Sequence, residues 1–370
     1  MREYLLTLLV CAAVTYLLTP VARRIATAVG ALAPIRDRDV HAIPTPRLGG
    51  LAMFAGIAAA LLLASRLPRL QTVFGNFTEP RAVLHAGAIV CLLGVVDDRW
   101  GLDSLTKLAG QILAAGVMVL EGVQLLWLPV PRFGTLVLGQ EAGVLLTVLL
   151  VVATINAVNF VDGLDGLAAG VVGIAALAFF AYSYQLAIVH GLSRAAPPML
   201  ISASLVGACF GFLPHNFNPA RVFMGDCGSM LIGLLLAAST ISLIGQLDPG
   251  ALTGLDLFPA LLPLVLPVGV LAVPFVDLLL AIVRRSMAGR SPFAPDKQHL
   301  HHRLLEIGHS QTRAVLIMYC WSALLGFGGV AMSMTSGPRP MLLVVGVLAL
   351  LAVIASTLPR VGTPNRGVRP

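Results

Sequence analysis

Residues 142–167 read AGVLLTVLLVVATINAVNFVDGLDGL, an apolar run that ends in two amides and two carboxylates. The apolar part has about the 20 residues that a helix needs to cross the hydrocarbon core of a membrane. Ionisable groups at the end of such a run are costly and are usually functional. The stretch therefore predicts a membrane helix and, at its end, a functional site.

The same pattern recurs along the whole chain. Of its 370 residues, 58% are hydrophobic and 11% are charged, and the mean hydropathy is +0.91. Soluble domains carry about 25% charged residues. We therefore predict an all-α integral membrane protein, a single domain over residues 1–370 with about eleven transmembrane helices. The predicted spans lie near 3–22, 49–65, 82–96, 104–122, 142–159, 164–185, 198–214, 227–247, 257–283, 312–331 and 340–358.

The distribution of basic residues predicts how the chain is oriented. This topology places 17 of the 24 Lys and Arg residues on one side and 7 on the other. The positive-inside rule makes the first side cytoplasmic, with the amino terminus outside and the carboxyl terminus inside. The net charge of +7 is then explained by cytoplasmic loops, and we expect no nucleic-acid partner. The connection 123–140, with its prolines and glycines between apolar stretches, predicts a small β-hairpin at the outer surface.

Carboxylates, amides and histidines from five distant connections fall on the predicted cytoplasmic side. Asp97 and Asp98 end the third span; they are either loop acids or a helix cap, or they share a cation or a proton. Lys107 either snorkels to the interface or binds a phosphate. Asp226 begins the eighth span beside two glycines, where it either caps the helix or holds a metal-bridged phosphate. Their convergence predicts one site at this face.

Three histidines lie close together in the longest predicted cytoplasmic loop. His299, His301 and His302 suggest zinc, but no cysteine or second histidine cluster lies nearby in the sequence. Contacts to an anionic nucleotide-sugar are favoured instead, with Arg303 contributing a positive charge.

Five motifs in order, within residues 23–313, together resemble the polyprenyl-phosphate N-acetylhexosamine-1-phosphate transferases, a glycosyltransferase 4 type family. The motifs are Pro44–Gly50, Asp97–Asp98, Asn156–Leu167, Gly225–Ser229 and His299–His302. Leu300 interrupts the histidines, which is similar to the branch that transfers N-acetylglucosamine-1-phosphate. The branch that transfers the muramoyl-pentapeptide of peptidoglycan has three consecutive histidines.

The resemblance implies a specific reaction. N-acetylglucosamine-1-phosphate would pass from UDP-N-acetylglucosamine to decaprenyl or undecaprenyl phosphate in the membrane lipid, releasing UMP, with Mg²⁺ or Mn²⁺ as cofactor. The product would begin a lipid-linked cell-envelope polysaccharide, such as the arabinogalactan linker. The active site would face the cytoplasm at the plasma membrane, and a homodimer is possible. Another UDP-sugar, such as the muramoyl-pentapeptide, is the alternative; an ion-coupled transporter is remote, since no internal repeat is visible.

The resemblance also implies roles for individual residues. The metal ligands would be Asp226 with Asp98 and Asp165, and the catalytic residues would be Asp97, Asp98 and Asp162. The substrate-binding residues would be Lys107, Asn159, Phe223, His299, His301, His302 and Arg303, with Phe223 stacking on uracil. Physical chemistry supports a cation independently, because a phosphate attacks a phosphate. Since a phosphate monoester has a second pKa of about 6, Asp97 would act as a base only for the fraction of lipid phosphate that is still protonated, or would position the attack.

Overall fold

The computed structural model describes residues 1–33, 44–130, 134–189, 191–246 and 310–334, together with 262–265, 267, 269, 345–347 and 349. Most of this part of the chain is helical. The α-helices whose bounds are described are α1 (Arg2–Val29), α2 (Gly49–Ala64), α3 (Gln71–Asn76), α4 (Glu79–Trp100), α5 (Ser104–Leu120), α6 (Gln140–Val161), α7 (Leu167–Tyr184), α8 (Ala196–Asn216), α9 (Gly225–Gln246) and α10 (Gln311–Met334).

Within the described residues, seven helices are long and apolar enough to cross a membrane: α1, α4, α6, α7 with its π-helical extension to Val189, α8, α9 and α10. Two shorter apolar helices, α2 and α5, fall at two further predicted spans. The predicted spans 257–283 and 340–358 lie mostly outside the described residues. The number of transmembrane helices and their orientation therefore stay predictions. The six-residue α3 was not predicted, because it is too short to show a helical period.

The predicted hairpin is present. Strands β1 (Trp127–Val130) and β2 (Gly134–Val137) pair antiparallel, with Trp127 opposite Val137 and Val130 opposite Gly134. The hairpin lies between the end of α5 and the start of α6. It therefore sits at the end of the bundle opposite the start of α5.

Small residues set the closest helix contacts in the bundle. Gly207 and Gly211, four residues apart on α8, face α1. A Cβ at Gly207 would lie 2.5 Å from the Leu8 carbonyl oxygen, and one at Gly211 would lie 2.4 Å from that of Ala12. Such small-xxx-small pairs allow backbones to approach within a membrane, where apolar burial alone gives no preference for helix over lipid.

Helix α9 lies at the centre of the described bundle, and all of its apolar window is buried. Its first turn is fixed by glycines on two neighbouring helices. A Cβ at Gly50 of α2 would lie 2.2 Å from the amide nitrogen of Gly228, and one at Gly94 of α4 would lie 2.2 Å from the Cα of Cys227. Helices α2, α4 and α9 therefore meet at backbone distance at this end of the bundle.

The helices alternate in direction, because short connections make sequential helices antiparallel neighbours. Three residues, 101–103, join α4 to α5. As a result α4, α6 and α8 end where α5, α7 and α9 begin. The predicted site residues on these six helices are thereby brought to one end of the bundle.

Candidate active site

The first turn of α9 is capped by a residue from another helix. Asp98, on α4, accepts a hydrogen bond from the amide of Asp226 at 3.0 Å and one from the amide of Cys227 at 3.2 Å. Gly225 has a φ of 70°, and a Cβ there would lie 2.2 Å from Oδ2 of Asp98. A carboxylate in this position satisfies free amides and complements the positive end of the helix dipole. Only a glycine leaves room for it.

Asp226 projects from this capped turn into a polar cluster. One carboxylate oxygen lies 2.9 Å from Nζ of Lys107 on α5. The other accepts a hydrogen bond at 3.1 Å from Nδ2 of Asn159 on α6, and that nitrogen also donates to Oγ of Ser229 at 2.8 Å. The Asp226 side chain is 26% exposed. Its carboxylate is therefore oriented by the protein and still open to solvent.

Lys107 joins Asp226 to the first carboxylate of the acidic pair. Its Nζ lies 2.6 Å from Oδ2 of Asp97, whose other oxygen accepts a hydrogen bond from the amide of Leu102 at 2.7 Å. One ammonium thus bridges two carboxylates from helices far apart in sequence. Of the two interpretations of Lys107, the ion pairs disfavour simple snorkelling to the interface.

Asp162 follows the last residue of α6 and is half-buried. Shielding of its carboxyl from solvent, and then the negative charges of Asp226 and Asp98, raise its pKa to about 7. Within the described residues no side chain or amide donates a hydrogen bond to this carboxyl. An added cation would favour its ionised form, so Asp162 is available to a positively charged or metal-bound ligand.

Arg47 lies at the candidate site, although its position in the sequence predicted no role for it. Its positive charge acts on the carboxyls of both Asp98 and Asp162 and lowers the pKa of Asp162. The backbone around it is paired with the segment before α9: the amide of Phe223 donates to the carbonyl of Pro46 at 2.8 Å. The signal in the sequence was an arginine inside one of the quoted motifs, directly before Leu48-Gly-Gly.

Asp165 lies apart from this cluster and is only 4% exposed. Its Oδ2 accepts hydrogen bonds from Nδ2 of Asn218 at 3.0 Å and from the amide of Ala220 at 2.9 Å. Beside it, Asn216 accepts from the amide of Gly166 and donates to the carbonyl of Val222, both at 3.0 Å. These bonds fix the loop that leads from α8 to α9.

Helix α10 contacts both this loop and the start of α7. Oε1 of Gln311 accepts a hydrogen bond from Nδ2 of Asn218 at 2.8 Å, and the hydroxyl of Tyr319 donates to the carbonyl of Gly166. Gly170 leaves room for the Tyr319 ring, since a Cβ there would lie 1.9 Å from it. Helix α10 follows the predicted histidine loop, and the predicted residues His299, His301, His302 and Arg303 lie outside the described residues.

Two polar residues from the predicted cytoplasmic side have structural contacts outside this cluster. Asp103 caps α5, and its pKa is lowered first by the hydrogen bond from the Thr106 hydroxyl and then by those from the amides of Thr106 and Leu105. His215 contacts the carbonyl of Tyr16 on α1 at 3.0 Å. Neither belongs to the group around Lys107.

The donor set bears on whether a divalent cation fits. Among the residues that the structure describes, no three acidic, His or Cys side chains converge closely enough to hold a metal ion by themselves. Mg²⁺ is usually bound through one or two carboxylates, with water and substrate phosphates completing its shell. The oriented and partly exposed carboxylate of Asp226 fits that pattern. The roles of Asp98 and Asp165 as metal ligands stay predictions.

Comparisons with known proteins agree on one family. Residues 81–244 match the family model described as glycosyl transferase family 4. The chain is 51% identical over 362 residues to a decaprenyl-phosphate N-acetylglucosaminephosphotransferase of Mycobacterium tuberculosis (strain CDC 1551 / Oshkosh), covering 97% of this chain and 89% of that protein. A relative with the same name in Mycolicibacterium smegmatis is 50% identical with the same coverage. A phospho-N-acetylmuramoyl-pentapeptide-transferase of Desulforudis audaxviator is 33% identical over 80% of this chain and 86% of its own length.

Proposed function

The chain belongs to glycosyl transferase family 4, and from that premise we propose that it transfers N-acetylglucosamine-1-phosphate from a nucleotide-sugar to a polyprenyl phosphate. It is a transferase and a multi-pass membrane protein. The observation that carries the proposal is the meeting of Asp226, Lys107 and Asp97 at one end of the bundle. The 51% identity to relatives named for N-acetylglucosamine, against 33% to one named for the muramoyl-pentapeptide, favours N-acetylglucosamine over the larger sugar.

The charges of the cluster suit a reaction between two anions. A bound Mg²⁺ or Mn²⁺ would offset the repulsion between the phosphates and the charge on the departing nucleotide. Asp226 would hold that ion, and Asn159 would keep its carboxylate in the binding orientation. Lys107 and Arg47 provide two further positive charges, which would meet the phosphate groups of the donor and the acceptor.

Asp97 is held from two directions, by Nζ of Lys107 and by the amide of Leu102. A carboxylate fixed in this way is suited to orienting a phosphate nucleophile. It would also accept a proton from any lipid phosphate that is still protonated. That fraction is small at neutral pH, because the second pKa of a phosphate monoester is about 6.

We assign the remaining predicted residues to the two ends of the donor. Phe223, held by backbone bonds to Pro46 and Gly49, would stack on uracil of a UDP-sugar. Asp162, whose pKa is raised in part by the negative charge of Asp226, would face the reacting phosphates. The histidine loop with Arg303 would contact the sugar and phosphate end, as predicted from the sequence.

The orientation belongs to the proposal as well. The 17 to 7 distribution of basic residues supports a plasma-membrane protein whose active site faces the cytoplasm, with the amino terminus outside. The acceptor would be decaprenyl or undecaprenyl phosphate, and its product would begin a lipid-linked envelope polysaccharide. We include a single domain, with core motifs in residues 23–313, and a homodimer in the proposal.

The test is turnover of the purified protein with a panel of UDP-sugars, polyprenyl phosphate and Mg²⁺. We expect UMP and a lipid-linked pyrophosphoryl sugar from UDP-N-acetylglucosamine, and loss of product when the divalent cation is chelated. Asp226→Asn should abolish turnover, whereas Asp103→Asn, which keeps a good helix cap, should not. Activity confined to the UDP-muramoyl-pentapeptide would reject this substrate.

A further inference from the structure

The segment that joins α8 to α9, residues 216–227, is held by a buried carboxylate at each end. Near its start, Asp165 accepts hydrogen bonds from Asn218 and from the amide of Ala220. At its end, Asp98 accepts from the amides of Asp226 and Cys227. Asp98 lies on α4, whereas Asp165 lies in the turn between α6 and α7. Both nevertheless bind this one segment, which we call the α8–α9 segment.

A third side of the α8–α9 segment is fixed by backbone pairing. The amides of Gly49 and Gly50 donate to the carbonyls of Phe223 and Met224 at 3.0 and 2.9 Å. Phe223 and Asp226, the residues proposed to bind the base and the cation, lie three positions apart within the segment. The carboxylates and the backbone pairing together set how far apart these two side chains lie.

We propose that Asp98 and Asp165 are positioning residues that fix the α8–α9 segment, in place of the metal-ligand role that the sequence predicts for them. The inference rests on the proposed function, in which Phe223 and Asp226 bind the two ends of the nucleotide. It assigns the cation to Asp226 and to the phosphates of the substrate.

The surroundings of the three carboxylates support this division. Asp98 and Asp165 are buried, whereas Asp226 is only half-buried. Two backbone amides bind Asp98, and one amide and one side-chain amide bind Asp165. Each of these amides would lose its partner if the carboxylate turned toward a metal ion, and leaving a donor shielded from solvent unpaired is costly. Among the described residues, the groups that bind the Asp226 carboxylate belong to side chains, which can rearrange.

The two positions predict different kinetic defects. Asp98 holds the end of the segment that carries Asp226, so Asp98→Asn should lower kcat by about tenfold or more while KM for the UDP-sugar changes little. Asp165 holds the part that leads to Phe223, so Asp165→Asn should chiefly raise KM for the UDP-sugar. A general loss of folded protein would lower kcat in both variants and would not separate them in this way.

The decisive experiment measures metal binding without turnover. Detergent-purified full-length protein with UDP is titrated with Mn²⁺, and the free ion is followed by its electron paramagnetic resonance signal. We expect Asp98→Asn and Asp165→Asn to bind Mn²⁺ as the wild type does, and Asp226→Asn to bind it much more weakly. Asp103→Asn is the matched control, because its carboxylate also caps a helix but contacts no part of the α8–α9 segment.

A second variant covers the case in which Asp165→Asn does not fold. Asn218→Ala leaves the Asp165 carboxylate intact and removes one of its donors. If Asp165 acts through Asn218, Asn218→Ala should by itself raise KM for the UDP-sugar and leave Mn²⁺ binding unchanged. An unchanged KM in Asn218→Ala would contradict the positioning role of Asp165.

The outcomes separate the inference from the proposed function. If wild-type protein shows no transfer to polyprenyl phosphate with any UDP-sugar, the proposed function fails. If the wild type is active and either Asp98→Asn or Asp165→Asn weakens Mn²⁺ binding as much as Asp226→Asn does, the positioning role is overturned alone.

Discussion

Replacing Gly94 with alanine tests how closely α4 must approach α9 for the site to form. The added Cβ would lie 2.2 Å from both the Cα and the amide nitrogen of Cys227. Real Cβ contacts essentially never fall below 3.0 Å. The two helices would therefore have to separate by about 0.8 Å or more, because backbone atoms cannot rotate away as a side chain does.

This displacement would disrupt the cap that Asp98 provides for α9. Its hydrogen bonds to the amides of Asp226 and Cys227, now 3.0 and 3.2 Å long, would lengthen beyond hydrogen-bonding distance. Each bond to a charged group is worth about 1.5–3 kcal/mol, and overpacking costs about 1–3 kcal/mol. After the gain of about 1 kcal/mol in helix propensity, the net destabilisation should be about 3 kcal/mol or more. A shift of this size at Asp226 should also lower turnover about 100-fold.

Turnover and melting temperature of Gly94→Ala are compared with those of Gly116→Ala, in which the new methyl group on α5 meets nothing within 4 Å. Gly116→Ala should keep full activity and melt at the same or a higher temperature, because alanine is the better helix former. If the two variants have the same activity and melting temperature, close backbone contact between α4 and α9 is not required for the site.

Three further predictions concern proton, charge and topology. Asp97→Asn should lose relatively more activity near pH 5.5 than near pH 8.5, because more of the lipid phosphate, with a pKa of about 6, is protonated at the lower pH. An equal loss of activity across this range would leave Asp97 only the role of orienting the phosphate beside Lys107. Asp162 has a pKa of about 7 in the folded protein and about 3.9 in the unfolded chain. Its ionisation therefore destabilises the folded protein increasingly between about pH 4 and pH 7. Above pH 7 the destabilisation is constant, at about 4 kcal/mol at most. Without divalent cation, Asp162→Asn should therefore raise the melting temperature more near pH 8 than near pH 5, and equal gains would contradict the raised pKa. Cysteines placed at Ser291 and at Thr135 in a cysteine-free background should react oppositely with a membrane-impermeant reagent, and labelling of position 291 from outside intact cells would invert the orientation.

The helices and the general location of the site could be predicted from the sequence. An apolar run of membrane length can be recognised from one segment of the sequence alone. Such runs predicted the long helices and the two shorter ones at 49–64 and 104–120. The polar ends of those runs, such as Asn159 and Asp162, also indicated the end of the bundle at which the polar cluster of the candidate site lies. The alternating direction of sequential helices could be predicted from their order alone.

The partner of each carboxylate could not be predicted in this way. Asp97 and Asp98 are adjacent and chemically identical, yet one binds the ammonium of Lys107 and the other caps α9. Their orientation depends on the rotation of α4 about its axis, which is set by the contact of Gly94 with Cys227. Arg47 was missed for a related reason: its charge reaches Asp162 only through the pairing of distant backbone segments.

The cap on α9 comes from a residue 128 positions earlier in the chain. During synthesis at a membrane, α4 is therefore in place well before the amides that it will bind have been made. A chain released before α9 contains Asp97, Lys107 and Asp162 but neither Asp226 nor the segment that positions it. We therefore expect incomplete or wrongly inserted chains to be inactive, so that the appearance of activity would report that helices made far apart in time have come together correctly.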